Sequence, residues 1–252
     1  MIRGVALLLI LAAAAFPQRG FQPLFNGKDL QGWHKNPQKI GHGTGGSWRV
    51  ENGVIVGEQD PPGSGNGGIL LSDEKFGNFE VIFEVWPDWG VDSGFFLRST
   101  DTGKCYQVMI DYHEDGNVGE IYREGLDGVT NRTFLLQGVY EDAEKTRLKE
   151  IRAIRAPKTD RGAGGAPVFD LARWNKIWRL NGWNTIRARV EGNPPTITTW
   201  VNGTEITRYV SDKKFEGVLG DTGSVAVQVH GGKKAWPEGA KIRFRNIRVK
   251  PL

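Results

Sequence analysis

Cysteine is nearly absent. Cys105 is the one thiol in 252 residues, so an internal disulfide is excluded. No local base pairs with it, and it reads as a small core group, not a nucleophile. Beyond residue 15 no uncharged apolar run approaches the ~20 residues of a membrane span. Basic blocks are missing too: 33 Lys and Arg against 29 Asp and Glu leave a formal charge of +4. Nucleic acid is thereby excluded as the main partner. The one long apolar run is N-terminal, where Arg3, Val5–Ala15 and Ala13-Ala14-Ala15 have the layout of a cleaved signal peptide. We expect residues 1–19 to be removed and the protein to be secreted or periplasmic. Loss of Arg3, or of Arg3 and Arg19, lowers the charge to +3 or +2.

Glycine, by contrast, is abundant: 35 residues, about double the usual share of roughly 7%. Distributed among β-branched and aromatic residues, it predicts turns between strands. The pattern predicts strands at Trp48–Val56 (turning at Glu51-Asn52-Gly53), Ile69–Ser72, Phe79–Trp86, Gly94–Ser99, Tyr106–Tyr112 and Val118–Tyr122. Further strands follow at Asn184–Val190, Thr196–Val201, Glu205–Tyr209, Ser224–His230 and Lys241–Lys250. Asn202-Gly203 suits a two-residue hairpin turn. So many short strands indicate an all-β sandwich or barrel, in one domain spanning residues 20–252. Between Tyr140 and Leu180 the pattern changes. Glu141–Ile154 looks partly helical, Arg161–Pro167 is a Gly-rich loop, and Leu171–Trp178 suits a turn or two of helix, with Trp174 and Trp178 packed on the sandwich. This segment reads as an insertion.

Alternation splits each strand into two faces. Phe79, Val81, Phe83 and Val85 oppose Glu80, Ile82, Glu84 and Trp86; Phe95 and Leu97 oppose Phe96 and Arg98. Tyr106, Val108 and Ile110 oppose Gln107, Met109 and Asp111, while Val225, Val227 and Val229 oppose Gln228 and His230. The second set mixes bidentate polar groups with large aromatics, which suits a sugar: amides, carboxylates and guanidinium bind adjacent hydroxyls, and Trp covers the C–H face. The competing reading is a cross-strand charge ladder on an ordinary outer face.

The series Phe25-Asn26-Gly27-Lys28-Asp29-Leu30-Gln31-Gly32-Trp33, Trp48-Arg49-Val50-Glu51-Asn52-Gly53, Asp92-Ser93-Gly94-Phe95-Phe96-Leu97-Arg98, Tyr106-Gln107-Val108, Trp183-Asn184-Thr185 and Phe244-Arg245-Asn246-Ile247 resembles, in order, the 3-keto-disaccharide hydrolase domain family. The resemblance implies a two-sheet, concanavalin A-like jelly-roll sandwich and a secreted bacterial protein that cleaves 3-keto-glycosides. Such sugars have an acidified C2–H, so a base, an enolate stabiliser and a leaving-group acid are needed. The catalytic candidates are Glu84, His230, Arg98 and Glu80; those for substrate binding are Gln107, Asp111, Tyr122, Gln228, Trp200 and Trp86. His34 and His42 are expected at the surface.

No cofactor is assigned. Asp111–Asn117 superficially resembles a calcium loop, but Tyr122 occupies the twelfth position where a bidentate Glu is required, so it reads as a polar turn. Two other functions compete. A lectin-like module would use Trp86, Trp89, Trp200 and Trp236 as a platform. A laminarinase-type glycosidase would use Glu80 and Glu84, but Ile82 replaces the helper carboxylate, and retaining chemistry needs carboxyls ~5–5.5 Å apart where the strand sets ~13 Å. The sequon Asn131-Arg132-Thr133 is expected to be idle.

Overall fold

The computed structural model describes residues 19–158 and 165–252. The signal-peptide run and most of the Arg161–Pro167 loop lie outside the described residues. In chain order the strands are β1 (Gln22–Pro23), β2 (Trp33–Lys35), β3 (Ser47–Glu51), β4 (Val54–Glu58), β5 (Gly68–Phe76), β6 (Phe79–Pro87), β7 (Gly94–Ser99), β8 (Cys105–Ile110) and β9 (Val118–Glu124). They continue with β10 (Phe134–Tyr140), β11 (Leu148–Arg155), β12 (Asn184–Glu191), β13 (Thr196–Val201), β14 (Thr204–Val210), β15 (Gly223–Val229) and β16 (Ile242–Pro251). A 3-10 turn at Leu171–Arg173 and the one-turn helix α1 (Trp174–Ile177) complete the set.

Two antiparallel sheets stack. One has eight strands in the order β14-β13-β12-β6-β16-β4-β3, with β1 added beside β16; the other has six, β2-β5-β15-β7-β8-β9. Alternation explains the stacking. Phe79, Val81, Phe83 and Val85 point from β6 toward Phe95, Leu97, Val225, Val227 and Val229 of the six-stranded sheet, all fully buried. Phe83 and Phe95 stack across the interface with centroids 4.1 Å apart. The expected Asn-Gly turns close their hairpins with both residues at positive φ, Asn52-Gly53 at 50° and 82°, Asn202-Gly203 at 45° and 88°. That is the twist a two-residue hairpin requires.

The insertion departs from expectation. Residues 141–154 are not helical: β10 and β11 pair as a separate hairpin. The charged run that mimics an amphipathic helix is turned at Asp142, whose carboxylate accepts the Thr146 and Arg147 N–H groups. From there Ile151 and Ala153 alternate into the core beside Phe134 and Leu136. The helical turn at 171–177 forms as expected, and Trp174 and Trp178 stack nearly parallel, 5.9 Å apart.

Glu120 is buried on β9. Its carboxyl contacts the Thr133 amide and hydroxyl and the Asn117 amide. Burial outweighs these hydrogen bonds and raises its pKa to about 7. The native state therefore retains a proton that the unfolded chain releases near pH 4.5. Stability from this group is complete below that point and is lost as pH rises toward 7, by about 3 kcal/mol in total. Thermal melts between pH 5 and 7.5 should show this decline in the wild type, and Glu120→Gln should remove it.

Candidate functional site

The outer face of the six-stranded sheet carries both an apolar cluster and a polar cavity. Ile69, Leu71, Phe96, Cys105 and Ala226 are fully buried there, with Ile40 packed on them. Cys105 is thus a core thiol, its pKa pushed up by burial. Register sets the polar residues beside this cluster: Gln107 pairs with Phe96 on one side and Tyr122 on the other.

The cavity, about 300 Å³, is lined by Asp92, Gln107, Met109, Asp111, Tyr122, Glu124, Arg132 and His230. Strands β8 and β9 supply its floor. Asp92 comes from the β6–β7 link, His230 from just beyond β15, and Arg132 from the segment entering β10. Gln228 lies fully buried alongside, accepting from Gln107.

At one end Asp92, Asp111 and His113 bring potential ligand atoms within 4.8 Å of one another. Arg132 donates to Asp111 Oδ2 at 2.9 Å. The other oxygen, Oδ1, is buried with no hydrogen-bond partner among the described residues. Burial and then the like charge of Asp92 push Asp111 well above the usual carboxylate range, with Arg132 opposing. For Asp92, burial is outweighed by the His113 imidazole and the charge of His230, so its pKa is lowered. His113 is raised: burial pulls it down, but the Asp92 carboxylate and the Glu114 carbonyl prevail. Its Nδ1 lies 2.7 Å from that carbonyl, and Nε2 faces Asp92 at 3.8 Å. Tying Nδ1–H to a backbone oxygen leaves Nε2 for a cation once its proton is displaced. Two carboxylates, one with an orphaned oxygen, and an imidazole so oriented are a donor set that fits a divalent metal.

His230 has a related geometry. Its Nδ1 is 2.5 Å from the Gly231 carbonyl, so Nδ1 carries a hydrogen and the neutral ring has its lone pair on Nε2. The His42 ring stands edge-on to it, 4.5 Å away.

The structure separates the residues that the sequence grouped. Gln107, Asp111, Tyr122 and His230 meet in this cavity, with Gln228 beside it. Glu80, Glu84, Trp86 and Trp200 do not: they sit on the outer face of the other sheet, and the expectation of one shared face is corrected. There Arg187 and Arg189 hold Glu80 at 2.6 and 3.1 Å, and Arg245 holds Glu84. Arg243 covers Trp86, and Arg187 covers Trp200. The charge ladder describes that face, and Glu80 and Glu84 cannot serve as a glycosidase pair in the cavity. The Trp platform dissolves as well, since Trp236 is core and Trp89 packs on Tyr112.

Arg98 is likewise structural. At φ 53° it sits at an irregularity within β7 and donates to the Gly77 and Gly192 carbonyls and Asn78 Oδ1, at 2.7–2.9 Å. Arg98→Ala should cost about 2–3 kcal/mol in denaturant unfolding, because three charge-assisted hydrogen bonds vanish together. The polar cavity should be unaffected.

Sequence reasoning missed Asp92, His113, Glu124, Arg132 and His42. His42 was expected at the surface, but its side chain is 12% exposed and contacts Glu124. Asp92 was visible only as part of the Asp-Ser-Gly-Phe block. Arg132 lay inside a sequon treated as idle, all three residues of which are engaged: Asn131 caps the Ile121 amide and Thr133 meets Glu120.

A family model described as the 3-keto-alpha-glucoside-1,2-lyase-like domain matches residues 20–250. No curated protein matches the chain significantly. Among solved structures, a putative glycosyl hydrolase from Parabacteroides distasonis is 20% identical, covering 92% of this chain and 94% of its own, with a TM-score of 0.53. A second from the same organism is 19% identical, covering 92% and 99%, also at 0.53. β-Agarase B from Zobellia galactanivorans is 11% identical, covering 92% of both chains, at 0.51. These likenesses establish the sandwich fold.

Proposed function

Since the chain belongs to the 3-keto-alpha-glucoside-1,2-lyase-like family and is a carbohydrate-active protein, we propose that its polar cavity cleaves the glycosidic bond of 3-keto-glycosides by proton abstraction and β-elimination. The observation that carries this reading is His230, which lines the cavity and whose Nδ1 is tied to a backbone carbonyl, so that the neutral ring has its lone pair on Nε2. A group of this kind suits removal of a carbon-bound proton.

In this reading His230 Nε2 takes the C2 proton, and the electron pair moves onto the C3 oxygen as an enolate. Arg132, positioned by its bond to Asp111, stabilises that developing charge. Asp92, Asp111 and His113 would hold a divalent cation, which supplies Lewis-acid polarisation of the substrate oxygens when bound. Gln107 and Tyr122 bind ring hydroxyls, and Gln228 keeps the Gln107 amide in place. Collapse of the enolate restores the C3 carbonyl, forms the C1–C2 double bond and expels the C1 substituent. Hydration of that enone completes net hydrolysis.

The test is incubation of the purified protein with a 3-keto-glucoside carrying a chromogenic leaving group, beside its unoxidised parent. Selective release from the keto sugar supports the reading, and release from the parent alone points to ordinary glycoside hydrolysis. Thermal stabilisation by either sugar without cleavage would make the cavity a lectin site. Secretion through a cleaved N-terminal signal belongs to the same proposal, and N-terminal sequencing of exported protein tests it.

A further inference from the structure

A second cavity, about 570 Å³, adjoins the first and shares Glu124 and His230 with it. Its other walls come from the Gln38–His42 loop and the Thr102–Lys104 turn between β7 and β8. The side chains at the partition are oriented by a chain of hydrogen bonds with one consistent direction. Gln107 Nε2 donates to the Ser93 carbonyl at 3.1 Å and to Gln228 Oε1 at 3.3 Å. Gln228 must therefore present its NH2 group to His42, and its Nε2 lies 3.0 Å from His42 Nε2. An amide NH2 can only donate, so Gln228 meets this nitrogen as a donor. Glu124 Oε1 lies 3.2 Å from that same nitrogen. Carboxyl and imidazole thus meet at one ring nitrogen, where a single proton can pass between them, on the border of both cavities.

We propose that the Glu124–His42 pair is the proton donor to the departing group, and that the second cavity is the subsite for this group, an alcohol as large as a sugar ring. The inference rests on the 3-keto reading above. His230 and Glu124 both border the first cavity, and Glu124 also borders the second. Removal of the C2 proton and protonation of the leaving oxygen thus fall to different residues. As the C1–O bond breaks, the alkoxide takes the Glu124 proton and leaves as a neutral alcohol. Glu124 remains as carboxylate, and the proton accepted by His230 restores it through solvent. No oxidant or reductant is consumed. Gln38, Thr102, Lys39 and Lys104 surround the alcohol with hydrogen-bonding groups.

Leaving groups of different basicity provide the test. Glu124→Gln should lower kcat/KM for methyl 3-keto-glucoside by ~10²-fold or more, the size of an acid's contribution. Its rate on the 4-nitrophenyl analogue, whose leaving group needs little protonation, should fall by no more than about threefold. Exchange of the C2 proton in deuterated water, followed by NMR, should persist. His42→Gln should show the same selectivity, which guards against one variant failing to fold. Gly41 offers an independent check of the cavity, because a Cβ placed there meets nothing within 4 Å. Gly41→Phe should lower kcat/KM for a 3-keto-disaccharide about tenfold relative to the methyl glycoside, a loss comparable to about 1.4 kcal/mol. Equal losses on methyl and nitrophenyl substrates, or no loss on either, overturn the proposal. If the wild type neither exchanges C2–H nor cleaves any 3-keto-glycoside, the 3-keto reading itself fails and the proposal with it. Normal exchange with unchanged leaving-group selectivity overturns the proton-donor assignment alone.

Discussion

Replacing His230 with alanine is expected to lower kcat/KM for a chromogenic 3-keto-glucoside by about 10²–10⁴-fold, the usual contribution of a positioned general base. The imidazole is held by the Gly231 carbonyl at Nδ1. A solvent base is not held in this position and does not replace it. The C2–H exchange rate should fall in parallel, because that step uses the same nitrogen. Glu84→Gln is the informative companion. Glu84 is paired with Arg245 on the opposite sheet, so its replacement should leave the rate unchanged and cost less than about 1 kcal/mol, as for exposed ion pairs. Steady-state assays of both variants decide between the two faces. Retention of activity in His230→Ala, or its loss in Glu84→Gln, would move the chemistry elsewhere.

Asp111→Asn should produce the second large effect, and in two opposite directions. Burial, and after it the like charge of Asp92, push the Asp111 pKa upward. Removing one charge relieves that repulsion, so the metal-free protein should melt no lower than wild type. Activity should nevertheless fall by about 10²–10³-fold, because the enolate loses stabilisation assembled around this carboxylate. Added divalent cation should raise the wild-type Tm, by an amount equivalent to about 2.7 kcal/mol at a hundredfold excess over Kd. The variant should show no such rise. The measurement is a pair of melts, with chelator and with a series of divalent cations. A cation shift that survives in Asp111→Asn sinks the assignment of this ligand. Such a pattern is the familiar exchange of stability for function at a site that holds like charges close together.

These two residues also mark how far one-dimensional reasoning reached. The sequence by itself determined the sandwich. Alternation in Phe79–Val85 and Val225–Val229, together with Asn52-Gly53 and Asn202-Gly203, specifies strands, inner faces and turns through local sterics and burial alone. The ordered blocks also pointed to the family that the match over residues 20–250 establishes. It failed for residues 141–154, where dense charge imitates a helical face and only the Asp142 turn and the core contacts of Ile151 and Ala153 choose a hairpin.

Which polar faces coincide was left to the tertiary structure. Alternation separates Glu80 and Glu84 from Phe83, just as it separates Gln107 from Val108, but it does not say which sheet a strand joins. Strand order places β6 in one sheet and β7, β8, β9 and β15 in the other. One set of outward residues therefore becomes an arginine-paired ladder, and the other becomes the lining of a cavity. Asp92, Arg132 and His42 lie outside regular strands and have no periodicity to reveal them. Their positions follow from how loops close over the sheet edge, through long-range contacts such as Arg132 to Asp111 and His42 to Glu124. Local pattern encodes which way a side chain points. Only the packing of distant segments decides what it points at.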